Sequence, residues 1–101
     1  MKRVPATASH EKYLNEELRD PAMAKAYINA AIQENDPRIV MAAIRNVARA
    51  HGIQCVADEI HTHRENLSRM LSRDGNPRLT NLLRIFDALG FIIQVKNKAA
   101  A

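Results

Sequence analysis

The sequence predicts an all-α fold: a five-helix bundle that contains a helix-turn-helix and ends in one short C-terminal strand. Three observations carry that prediction. The 101 residues are 47% hydrophobic and 26% charged, with two Phe, two Tyr and no Trp, so the core must be built from Ala, Ile, Leu and Val. Helices packed on helices make such a core readily, whereas an all-β domain wants more Val, Thr and aromatic residues. Apolar residues also recur at helical spacing through most of the chain. Finally, Asp-Pro pairs and glycines fall where helices of ordinary length should start and stop. The length suits one small domain. Within it, residues 1–36 form an N-terminal helical extension and residues 37–101 hold the helix-turn-helix and the strand.

The elements follow in order. Ser9 to Leu18 can form a short helix with Tyr13, Leu14 and Leu18 on one face. Asp20-Pro21 and Asp36-Pro37 each open a helix, the Asp accepting from free N–H groups and the Pro losing nothing at the first helical position. In the first of these helices Ala24, Tyr27, Ile28, Ala31 and Ile32 share the inner face; in the second, Val40, Ala43, Ile44, Val47 and Ala48 do so. Gly52 closes the second, with Ile53 placed for the accompanying apolar contact. Gln54 to Ile60 is a short helix, His61-Thr62 a turn, and His63 to Ser72 a further helix opened by a capping box of Thr62 and Glu65. Asp74-Gly75-Asn76-Pro77 breaks the chain. Thr80 then caps a last helix that turns Leu82, Leu83, Phe86 and Leu89 inward and ends at Gly90. Phe91 to Val95 reads as a strand, with Phe91, Ile93 and Val95 on one side. A lone strand implies a partner strand from a second copy, hence a homodimer.

Charge gives the first functional indication. Residues 1–37 hold five basic and six acidic side chains, and residues 38–101 hold ten and five. A positive C-terminal two-thirds suits a polyanion. Between Ile53 and Ser72 the pattern is that of a helix-turn-helix: Val56, Ala57 and Ile60 face inward from one helix, Leu67, Met70 and Leu71 from the next. Ala57 is small, as a steep crossing around a short turn requires. Opposite the inner face of the second helix lie Arg64, Glu65, Ser68 and Arg69, a polar surface of a size to enter a major groove. Arg forks onto guanine, Glu accepts from cytosine, and Ser reaches base or phosphate, so these four are the candidate base readers. Ser72, Arg73, Asn76, Arg78 and Thr80 flank the following loop and helix start, where phosphate contacts are natural. The partner is then double-stranded operator DNA.

These blocks, taken together, resemble the antidote (antitoxin) proteins of type II toxin–antitoxin addiction modules, HigA-like and with a Cro/C1-type (lambda repressor-like) helix-turn-helix. The resemblance spans Tyr13 to about Val95. It rests on Leu18-Arg19-Asp20-Pro21 with Ala24, Tyr27 and Ile28; Asp36-Pro37 with Ala42-Ala43-Ile44; Val47-Ala48-Arg49-Ala50-His51-Gly52; Arg64-Glu65-Asn66-Leu67; Leu71-Ser72 with Gly75-Asn76-Pro77; and Ala88-Leu89-Gly90. The chain departs from the family in the turn, where His61 replaces a usual Gly, Thr62 an apolar residue and His63 a Ser. The resemblance implies neutralisation of a RelE or ParE-like toxin encoded alongside, and repression of the module's own operon. The N-terminal region, with Tyr13, Tyr27 and Ile28, is the candidate toxin-docking surface, since it exceeds what a minimal DNA reader needs and aromatic anchors favour interfaces. The competing readings are a pure protein-interaction module and a stand-alone phage-type repressor.

Other chemistries are weaker. One Cys excludes a disulfide framework, no stretch reaches the length of a membrane span, and Met1 to Val4 leads into no apolar core of a signal peptide. A reducing, cytoplasmic location is expected. His51, Cys55, His61 and His63 are near one another in sequence, but Gly52 interrupts the helix between the first two, so no metal site is expected. No base and orienting group accompany Cys55, and the carboxylates form no constellation; neither enzyme activity nor a cofactor is expected.

Overall fold

The computed structural model describes residues 6–99 and consists, over that range, of six helices: α1 (Ala6–Leu18), α2 (Pro21–Gln33), α3 (Pro37–His51), α4 (Ile53–Glu59), α5 (Arg64–Met70) and α6 (Leu79–Ala88). All-α is correct, but the helix count is six rather than five. The N-terminal helix is a full element of 13 residues that packs on both α2 and α3.

Local chemistry sets the boundaries. The Asp20 carboxylate accepts from the Ala22 N–H at 2.9 Å, and that of Asp36 from the Arg38 N–H at 2.9 Å, each just before a proline in the first turn. Asn35 lies between them at φ +57°, a left-handed conformation that Asn tolerates better than most residues. Gly52, at φ +116°, donates to the Ala48 carbonyl, ending α3, and accepts from the Val56 N–H, starting α4.

The exits of α4 and α6 share one geometry. At α6, Gly90 (φ +85°) donates to the Asp87 carbonyl and Phe91 to the Phe86 carbonyl at 2.8 Å. The Phe91 ring meets Phe86 edge-on, with centroids 6.3 Å apart. This is a Schellman closure complete with its apolar contact. At α4, His61 (φ +57°) donates to Asp58 and Thr62 to Ala57 in the same pattern. His61 therefore occupies the left-handed position that glycine fills without steric cost, at a penalty of roughly 1 to 2 kcal/mol. Because the Thr62 N–H closes α4, α5 starts later than expected. Its N-cap is His63, which makes no side-chain capping bond, so the expected capping box of Thr62 and Glu65 is absent. Likewise Arg78, not Thr80, is the N-cap of α6, and Thr80 lies one residue inside the helix.

The expected strand is also absent: residues 91–99 carry no regular secondary structure. The Phe91 amide and ring are both engaged in closing α6, and no described segment offers a partner edge to Ile92, Ile93 and Val95, which remain exposed.

The core is one cluster centred on α3, which contributes Ala43, Ile44, Val47 and Ala48. Leu18 enters from α1, and Ala24, Ile28 and Ala31 from α2; Val56, Ala57, Ile60, Leu67, Leu71, Ile85 and Phe86 complete it. Three of the expected inward residues, Tyr13, Ile32 and Leu83, are exposed, and Leu14, Tyr27, Val40, Met70, Leu82 and Leu89 are only partly buried. In α6 the fully buried side chain is Ile85, which had not been expected to point inward. No helix among the described residues is long and apolar enough to cross a membrane.

Candidate functional site

Two seven-residue helices, α4 and α5, meet across the turn Ile60–His63. Ala57 is fully buried at this contact, which fits the requirement for a small side chain where the two helices approach. Leu67, on α5, and Leu71, its C-cap, are both fully buried and anchor the helix. That anchoring fixes what faces outward: Arg64, Glu65, Ser68 and Arg69, the four expected base readers, are all exposed.

A contact that local sequence patterns do not show holds the far end of α5. Arg45 of α3 donates from Nη1 to the Leu71 carbonyl at 2.9 Å, satisfying an acceptor that the helix end leaves free and placing a positive charge at its negative pole. Neighbouring Asn46 donates to the Tyr27 hydroxyl at 3.0 Å, tying α2 to α3. These bonds join residues 26 and 19 positions apart. No periodicity within a single helix reports them.

The expected phosphate contacts divide. Arg73, Asn76, Arg78 and Thr80 are exposed. Ser72 is half-buried, and its hydroxyl donates to the Arg69 carbonyl at 2.7 Å, so its proton already serves the end of α5. Gly75 packs against the same helix end. A Cβ there would overlap the Met70 carbonyl oxygen and lie 2.6 Å from that of Arg69. Among the described residues the one ion pair is Arg38 with Asp36 at 3.7 Å, so no carboxylate neutralises Arg64, Arg69, Arg73 or Arg78.

Of the expected toxin-docking residues, Tyr13 is exposed and Tyr27 half-buried with its hydroxyl bonded to Asn46. Ile28 is a core residue, because its position on α2 faces α3, and it offers no surface to a partner. In the segment expected to pair two copies, Phe91 packs on Phe86, while Ile93 and Val95 are exposed.

The histidines and the cysteine are arranged differently from the sequence expectation. His51, Cys55 and Glu59 come together, their ligand atoms all within 4.8 Å of one another; His61 and His63 are not part of this group. Gly52 interrupts the helix but does not separate His51 from Cys55, because it is the single residue between α3 and α4 and their ligand atoms stay within 4.8 Å of each other. Glu59 was missed, although its spacing of four from Cys55 puts both on one helix face. The Cys55 thiol donates to the Glu59 carboxylate at 3.7 Å. Desolvation of the thiolate, then repulsion from Glu59 and Asp58, raises the pKa of Cys55 above the ordinary thiol value.

Comparison with known proteins places the fold in context. Residues 9–97 match the family described as "probable addiction module antidote protein". An uncharacterized protein of Haemophilus influenzae is 28% identical over 86 residues, covering 85% of this chain and 89% of that protein. No solved structure matches significantly. With nearly all of the described helices inside the matched span, the chain belongs to the family of probable addiction module antidote proteins.

Proposed function

We propose that this protein is the antitoxin of a type II toxin–antitoxin module. In this reading it acts in the cytoplasm without catalytic chemistry, binds a RelE or ParE-like toxin directly, and represses its own operon through a HigA-like, Cro/C1-type helix-turn-helix formed by α4 and α5. The observation that carries the DNA-binding part is the exposed face of α5, whose arginines have no ion-pair partner among the described residues while Leu67 and Leu71 fix the helix from beneath. Arg64, Glu65, Ser68 and Arg69 read base edges; Arg73, Asn76, Arg78 and Thr80 hold phosphates. Two copies pair through the exposed segment around Ile93 and Val95, which sets two α5 helices on half-sites roughly 34 Å apart.

Mobility shifts on the DNA upstream of the gene test this reading. Arg69→Ala should lose about 1 to 3 kcal/mol on the operator and little on random DNA, whereas Arg78→Ala should weaken both alike and reduce the salt slope by about 1. Inserting half a helical turn between half-sites should abolish tight binding by the dimer. Equal losses for both variants on both DNAs, or indifference to spacing, would refute the assignment.

Toxin docking belongs to the outer surface of α1 and α2, where Tyr13 is exposed and the acidic excess of residues 1–37 favours a basic partner. Leu18, Ala24, Ile28 and Ala31 from these helices are buried in the common core, so a truncation would confound docking with folding. The informative variant is Tyr13→Ala. It should weaken capture of the toxin encoded alongside by about 2 kcal/mol, roughly thirtyfold, and leave the DNA shift unchanged. Unaltered capture would move the docking surface elsewhere.

A further inference from the structure

We propose that His51, Cys55 and Glu59 form a three-ligand site for a zinc-like divalent ion, which clasps the end of α3 to α4 across Gly52. The ligand atoms lie within 4.8 Å of one another and all three residues are exposed, so an ion reaches them without opening the core. Zinc binds sulfur at about 2.3 Å and nitrogen or oxygen at about 2.0 to 2.2 Å, so tetrahedral ligands of these types stand about 3.6 Å apart. The Cys55 sulfur and Glu59 oxygen are already 3.7 Å apart. The donor set discriminates among metals: imidazole and thiolate suit zinc and its neighbours, whereas magnesium and calcium want oxygen ligands throughout.

The backbone explains why the three converge. Cys55 and Glu59 stand one turn apart on α4, and Gly52 (φ +116°) is the single residue joining α3 to α4, which leaves the His51 ligand atom within 4.8 Å of both. At present a proton lies between the cysteine sulfur and the glutamate oxygen. On binding, the metal takes that place: the thiol proton is released to solvent, sulfur and carboxylate carry one negative charge each, and neutral His51 supplies a lone pair. Zinc's two positive charges are then balanced, and water fills the fourth position. Because the thiol must give up its proton to bind, zinc affinity should rise with pH.

The test uses the full chain, stripped of metal by chelation. Calorimetric titration with zinc should give one ion per chain, and cobalt should produce a thiolate-to-metal charge-transfer band. Cys55→Ser should abolish the band, and His51→Ala and Glu59→Gln should each weaken zinc by at least about tenfold. His61→Ala and His63→Ala should bind as the parent does. Zinc should also raise the melting temperature of the parent but not of Cys55→Ser, since only a ligand of the folded state stabilises it. Circular dichroism before titration verifies that each variant is folded, as expected for exposed positions. Zinc affinity unchanged in Cys55→Ser or His51→Ala, or lost in His61→Ala or His63→Ala, would overturn the site. So would one ion per two chains, which would replace the clasp by a bridge.

Discussion

Leu67→Ala is expected to lower the stability of the fold by about 3 to 5 kcal/mol. Leu67 is fully buried and is the one buried side chain that α5 contributes from within its own seven residues. Its truncation removes the transfer free energy of the lost atoms and leaves a cavity beneath a helix too short to collapse onto it. Domains of this size have about 5 to 15 kcal/mol in total, so a large fraction of the variant's stability is gone. Urea denaturation measures the loss as a fall in midpoint at unchanged slope. Leu67→Met, which nearly conserves volume, should cost less than about 1.5 kcal/mol. A loss below 1 kcal/mol for the alanine variant would mean that α5 is not anchored where the structure places it.

Gly75→Ala should be the next most damaging, at about 2 to 3 kcal/mol, and its sign is diagnostic. Gly75 has no positive φ, so on backbone grounds alanine is acceptable there. By restricting the unfolded chain it would even stabilise by roughly 0.4 to 1 kcal/mol. What opposes it is the approach to α5: the new methyl would overlap the Met70 carbonyl and stand 2.6 Å from the Arg69 oxygen and 2.7 Å from the Met70 carbonyl carbon. All three are backbone atoms, so no rotamer change relieves the overlap. Either the loop lifts or the last turn of α5 unwinds, and both displace Arg73, Asn76 and Arg78. Thermal unfolding decides between the two effects: a lowered melting temperature reports the close approach, and a raised one would show that the loop does not lie against the helix.

These two positions also illustrate what a sequence discloses. Caps are local, so Asp20, Asp36, Gly52 and Gly90 could be assigned from a few neighbours each, and the structure places all four at helix ends. Leu67 and Leu71 followed from periodicity in the same way. Periodicity leaves the edges of a wide apolar face undecided. In α6, Leu79, Leu82, Leu83, Ile85 and Phe86 spread over about 160° of the helix surface with Ile85 and Leu83 at opposite edges, and only the packing of α6 on α4 selects Ile85 for the core while leaving Leu83 exposed. The strand expectation failed for a related reason. Alternation in Phe91 to Val95 describes which side chains share a side, but a strand exists only when another edge pairs with it. Arg45 and the group of His51, Cys55 and Glu59 depend on how helices are laid against one another. For the latter the decisive residue was Gly52, which was read correctly as a stop and incorrectly as a barrier.

The brevity of α4 and α5 has a consequence in time. A helix of seven residues is too short to persist in water on its own, since an isolated helix becomes marginal below about 12 to 15 residues. The arginine-bearing face of α5 thus has no existence apart from the bundle. On a growing chain it cannot be assembled from α5 alone, and it dissolves each time the core opens. A protease that cuts the opened chain removes that face at a rate governed by the open population whenever reclosure is faster than cleavage. The half-life of any activity borne by α5 is therefore the half-life of the folded core, without a surviving fragment to prolong it.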